Sequence, residues 1–206
     1  MRVGIFVFIK AFLLSFFGKA KVFEAECGKV MRLVRENDFL DANMLQLLIL
    51  RTIDTFASHD KSSKYFQNNY VRFEVFCYLF TSMSIYIKRH DSGYTLVEFF
   101  KAGGRCLNIF QKVFTDTDIK SFFEKRRSEY TKEWERRGDI AALLSSYVYF
   151  SEKNNIIKDD LSCFELKDNM EAIMLSLVFH TEMLPAVFDS LDKFMRLSST
   201  HENNGA

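Results

Sequence analysis

Residues 70–88 read "YVRFEVFCYLFTSMSIYIK", and every side of this run is apolar except where Arg72 and Glu74 interrupt it. A helix that is hydrophobic nearly all round must be buried on nearly all sides, so Tyr70 to Ile87 is expected to be the central helix of a larger helical assembly. A strand of this length would be unusual, and no turn residue divides the run.

The same period continues on both sides. Upstream, Leu45, Leu48, Ile49, Thr52, Ile53 and Phe56 line one face of a helix beginning at Asp41, a good N-cap, and Phe23, Cys27, Val30, Met31 and Val34 line another across 20–37. Downstream, Thr95 and Glu98 have capping-box spacing, followed by Leu96, Phe99, Phe100, Gly103, Leu107, Phe110 and Phe114. Ile119, Phe122, Phe123, Arg126, Tyr130 and Trp134 form the next stripe, which Gly138 ends. Ile140 to Ser151 and Met170 to Thr181 follow the same spacing, and Pro185 suits the first turn of a last helix carrying Val187, Phe188, Leu191, Phe194 and Met195.

One proline and eight glycines in 206 residues leave few breaks, and no stretch has linker composition. The fold class is therefore all-α: a single compact bundle of eight or nine helices. Residues 1–20 form an apolar, basic N-terminal helix, 21–197 the helical domain and 198–206 a flexible tail.

Composition limits function. An apolar share of 48% with 27% charged residues is globular, and 28 basic against 27 acidic residues lack the electrostatic footprint of a nucleic-acid binder. The run "FFEKRRSEYTKEWERRG" interleaves its cations with glutamates, as in the pair Glu133 and Arg137, and reads as a solvated face. Arg126 alone falls on the apolar stripe, where it either stacks on Phe122 and Tyr130, the preferred role, or binds an acid. Cys27, Cys77, Cys106 and Cys163 are far apart and lie in apolar stretches, which suits four reduced, structural thiols in a reducing, cytoplasmic setting. The 23 phenylalanines follow core periodicity and are read as packing; a ring-lined pocket carrying an apolar ligand is the alternative.

Chemistry-bearing patterns are sparse. The dipeptides His59-Asp60 and His90-Asp91, in an all-helical chain, resemble the metal-dependent HD-domain phosphohydrolases. That resemblance implies divalent metals held by His59, His90, Asp91 and Asp139, activating water against a phosphate ester. His180 follows Ile173 and Leu177 along one helix face, the setting of a hydrogen-bonded core histidine or of a haem ligand. No phosphate-binding loop, calcium loop or nucleophile elbow is present. The expected site therefore holds no catalytic residue, metal or cofactor.

The remaining signal is at the start of the chain. "GIFVFIKAFLLSFFGKAK" at 4–21 is apolar but for Lys10, Ser15, Lys19 and Lys21, and no acid precedes Glu24. As a helix, fifteen residues reach about 22 Å against roughly 30 Å of hydrocarbon, so the run is too short to span a bilayer. Lys10 would interrupt both a span and the core of a signal peptide cleaved after Ala20. The run is expected to pack partly on the domain and to offer Phe6, Lys10, Phe17, Lys19 and Lys21 to a protein partner or an anionic membrane surface. A wholly buried helix with Lys10 snorkelling outward is the competing arrangement. On this reading the chain is a non-enzymatic interaction protein, cytoplasmic and peripheral at the membrane. An HD-like phosphohydrolase and an apolar-ligand carrier are the alternatives.

Overall fold

The computed structural model describes residues 42–58, 68–90, 94–137, 143–144, 146–148, 151 and 177–204. These are helical almost throughout, and no strand occurs among them, so the protein is all-α. Five α-helices are described: α1 (Ala42–Ser58), α2 (Asn69–His90), α3 (Tyr94–Val113), α4 (Ile119–Arg137) and α5 (Leu184–Asn204). The helices expected at 1–20 and 20–37 lie outside the described residues, as do half of the positions of the one expected at 140–151 and most of those at 170–181.

The central role expected of residues 70–87 holds. Every residue from Val71 to Ser84 is buried, and α2 packs against α1, α3, α4 and α5. Its start is fixed by Asn68, whose side-chain oxygen accepts the Tyr70 amide at 2.8 Å, an N-cap that the sequence reading passed over. Two of the hydroxyls buried on α2 are satisfied within the helix: Thr81 Oγ1 donates to the Cys77 carbonyl and Ser84 Oγ to that of Thr81, both at 2.8 Å.

The core is a stack of rings. Phe80 lies parallel to Phe99 at 4.6 Å and edge-on to Phe123 at 5.2 Å, while Phe76 meets Phe110 and Phe123 at 5.3 and 5.4 Å. Gly103 belongs to this contact, because α3 can approach α2 only where it has no Cβ in the path of the Phe80 ring. The turn between α3 and α4 is closed by Gln111, whose Nε2 donates to the carbonyls of Phe114 and Thr117. Asp118 then caps α4 through the Ser121 amide at 3.2 Å.

Several local expectations are refined. Helix α3 begins at Tyr94, so Thr95 sits inside its first turn, and the Glu98 carboxylate does not serve a capping box in its own helix. It accepts instead the amide of Ala42, the first residue of α1, at 3.2 Å. A carboxylate at a helix N-terminus is well placed wherever in the sequence it comes from. Pro185 falls in the first turn of α5, as expected, but that helix continues directly from the helical residues beginning at Leu177, through a π-turn, Phe179–Met183. Proline cannot donate to the carbonyl four residues back, and the helix accommodates this by widening, with the Leu184 amide bonded to the carbonyl of Phe179. Glu133 forms an ion pair with Arg136 at 2.8 Å. Helix α5 runs on to Asn204, through seven of the nine positions of the segment 198–206 read as a tail.

Candidate functional site

The two polar interruptions of the sequence pattern meet in the core. Glu74 of α2 and Arg126 of α4 have fully buried side chains and form a bidentate ion pair, with Nε to Oε2 at 2.8 Å and Nη2 to Oε1 at 3.0 Å. The third guanidinium nitrogen, Nη1, donates to Glu129 at 2.9 Å, and Tyr147 Oη donates to the same Glu129 oxygen at 2.5 Å. The guanidinium carbon lies 3.3 Å from the centre of the Tyr147 ring. Arg126 therefore binds an acid and stacks on a ring, but the ring is Tyr147, not the expected Phe122 or Tyr130. Helical spacing brings Arg126 and Glu129 together on α4, whereas the pairing with Glu74 needs the α2–α4 contact.

A second polar contact extends this layer. Tyr78, one residue beyond the buried Cys77, meets Tyr130 and Phe179 edge-on at 5.8 and 5.1 Å. Its hydroxyl is 3.0 Å from Nδ1 of His180, within the π-turn. His180 is thus a hydrogen-bonded, half-buried histidine, as one of its two sequence readings held. Tyr130 Oη is buried and has no hydrogen-bond partner among the described residues.

The electrostatics keep each group in its unreactive form. Burial raises the Glu74 carboxyl above the usual carboxylate range, an effect that the adjoining Arg126 offsets in part. Burial alone would lower the Arg126 guanidinium, but Glu74 more than reverses this and holds it above its ordinary value. The Cys77 thiol is pushed up by burial and by Glu74, so it stays protonated and is a poor nucleophile. Burial also raises the phenols of Tyr130 and Tyr147. All three guanidinium nitrogens of Arg126 are bonded within the core, leaving no fork for a phosphate or carboxylate ligand. The arrangement can clamp α2 to α4 and to residue 147.

Of the HD-like set, only His90 is described. It is exposed at the end of α2, and its ring lies 4.5 Å from Tyr86. Tyr86 in turn stacks on Phe188 at 4.2 Å and donates to Asp192 at 2.7 Å. The adjacent Arg89 lies over Trp134, 5.4 Å from the ring centre. His59, Asp60, Asp91 and Asp139 fall outside the described residues, and no group of three His, Cys, Asp or Glu able to hold a metal occurs among those described. Cys77 and Cys106 are buried thiols; Cys27 and Cys163 are not described.

Phe6, Lys10, Phe17, Lys19 and Lys21 also lie outside the described residues. The point where their segment joins the described part is fixed: the Ala42 amide is bonded to Glu98, and Asn43 Oδ1 accepts from Arg105 Nη1, both partners being on α3. No helix among the described residues is long and apolar enough to cross a membrane. The sequence reading missed the pairing of Glu74 with Arg126, although opposite charges at two buried-helix positions were its signal. It also missed the outward face of α3, because cations on a helix surface carry no mark of their own. Comparisons with family models, with curated proteins and with solved structures return no match.

Proposed function

We propose that this chain is a non-enzymatic helical interaction protein that docks on an anionic membrane surface through residues 1–21. Phe6 and Phe17 would enter the interface, and Lys10, Lys19 and Lys21 would meet acidic headgroups. The proposal extends to the architecture, a single bundle of eight or nine helices with a cytoplasmic, membrane-peripheral location. One observation carries it: Glu74, Arg126 and Glu129 in the described core are spent on one another, whereas the unbalanced charge of residues 1–23 adjoins an apolar run broken only at Lys10 and Ser15. Basic and apolar groups in one short segment supply both terms of interfacial binding, burial and attraction to acidic lipid.

The test is sedimentation of the full chain with vesicles of mixed phosphatidylserine and phosphatidylcholine, and with phosphatidylcholine alone. Binding to the acidic vesicles only, weakened in Lys19→Glu/Lys21→Glu, supports the reading. Equal indifference to both vesicle types refutes it and turns attention to a protein partner.

A further inference from the structure

The described part of the molecule has a face of the same character. Helical spacing puts Phe100, Gly104, Val97, Asn108, Lys101, Lys112 and Arg105 side by side on α3, and all seven are exposed. The strip from Val97 to Lys112 is about 22 Å long. Val97 is 55% exposed and Phe100 38%, two of the three large exposed hydrophobics among the described residues. Beside them run three cations, Lys101, Arg105 and Lys112. The one acid in α3, Glu98, is turned inward, 8% exposed and bonded to the Ala42 amide and to Lys101. Gly104 adds no side chain to the middle of the strip, where an added Cβ would meet nothing within 4 Å. The neighbouring Arg127 lies 5.8 Å from the centre of the Phe100 ring and is itself paired with Glu124 at 3.4 Å, so that pair adds no net charge to the strip.

We infer that this outward face of α3, with Lys101, Arg105, Lys112, Val97 and Phe100, is a second contact with an anionic lipid surface. Two features select that occupant. Three cations against the single inward-turned acid Glu98, which Lys101 meets, leave a net positive strip that complements acidic headgroups, and the two apolar side chains at one end provide the shallow insertion that a purely polyanionic partner would not use. The second feature is continuity, since residues 1–41 join the described core against this same helix through Ala42 and Asn43. The inference rests on the reading that the protein meets an anionic membrane. Two weak contacts on one body multiply, which is how stable anchoring arises from signals that are marginal singly.

The test uses the full chain and vesicles containing phosphatidylserine, and compares three variants with the parent. Lys101→Gln/Arg105→Gln/Lys112→Gln removes the basic strip. Lys101→Gln/Lys112→Gln leaves the Arg105–Asn43 bond in place, should the triple variant fold poorly. Lys19→Gln/Lys21→Gln perturbs only the N-terminal segment. Partitioning is expected to fall about fivefold per cation removed from the strip, on the order of a hundredfold for the triple variant, with an unchanged far-ultraviolet helical spectrum. Val97→Ser is expected to weaken binding as well, because it removes exposed apolar surface. Unchanged partitioning of both strip variants, with weakened binding of Lys19→Gln/Lys21→Gln, overturns the inference and leaves the N-terminal reading standing. A parent chain that ignores the acidic vesicles overturns both.

Discussion

Gly103 and Gly104 are adjacent in α3, yet alanine is predicted to have opposite effects at the two positions. At Gly104 a Cβ meets nothing within 4 Å, so only backbone propensity changes, and Gly104→Ala should stabilise the fold by about 1 kcal/mol. At Gly103 the same Cβ would fall against the Phe80 ring, with Cδ2 at 2.8 Å, Cζ at 2.9 Å and Cε2 closer still. Carbon atoms pack at roughly 3.5–4.0 Å, so ring or helix must give way by about an ångström. Phe80 has little room to yield, being stacked on Phe99 at 4.6 Å and held by Phe123 at 5.2 Å. Overpacking of this kind costs about 1–3 kcal/mol or more, which outweighs the propensity gain. Urea denaturation followed by circular dichroism should place the Gly104→Ala midpoint above that of the parent and the Gly103→Ala midpoint below it. Equal shifts of the same sign would refute the close approach of α3 to α2.

The buried ion pair makes a second prediction: Arg126→Met should cost about 3–5 kcal/mol by leaving Glu74 buried without its cation, and Glu74→Met/Arg126→Met should cost less than the two single changes together. Additive losses in a double-mutant cycle would show that the two groups are not coupled. Glu98→Ala removes the acceptor of the Ala42 amide and should cost about 0.5–2 kcal/mol in denaturant, whereas a neutral result would mean that α1 is capped otherwise. Tyr86 predicts a pH dependence, since burial, followed by its hydrogen bond to Asp192, raises its phenol from 10.0 to about 12. A raised folded pKa means that the stabilisation is complete below pH 10 and is lost as the pH rises through 12; Tyr86→Phe should therefore show a shallower alkaline loss of stability than the parent, and identical slopes would contradict the assignment.

Much of the fold was legible because period and burial are strongly linked. The all-round apolar run at 70–88 named the central helix, and the stripes ending at Phe114 and Trp134 placed α3 and α4. What escaped was what one helix does for another. Thr95 and Glu98 have the spacing of a local cap, yet Glu98 serves Ala42, 56 positions away, because α1 begins against the N-terminal part of α3. Arg126 was visible as a charge on an apolar stripe, and Glu74 as a charge in an apolar run. Pairing them required the α2–α4 contact, and Tyr147 stacks on Arg126 only because a later segment returns to the same layer. The π-turn at His180 has no signature beyond Pro185. The expected binding residues, from Phe6 to Lys21, were read from charge and hydropathy alone; the face of α3 could be recognised only once Glu98 was seen to turn inward.

Binding of the full chain to vesicles at rising salt tests the central claim most directly. The account predicts partitioning onto phosphatidylserine-containing vesicles that weakens steeply as ionic strength rises from about 0.01 to 0.15 M, where the screening length shortens from roughly 30 to 8 Å, and none onto phosphatidylcholine alone. Equal binding to both vesicle types, salt-independent binding, or none to either would contradict it.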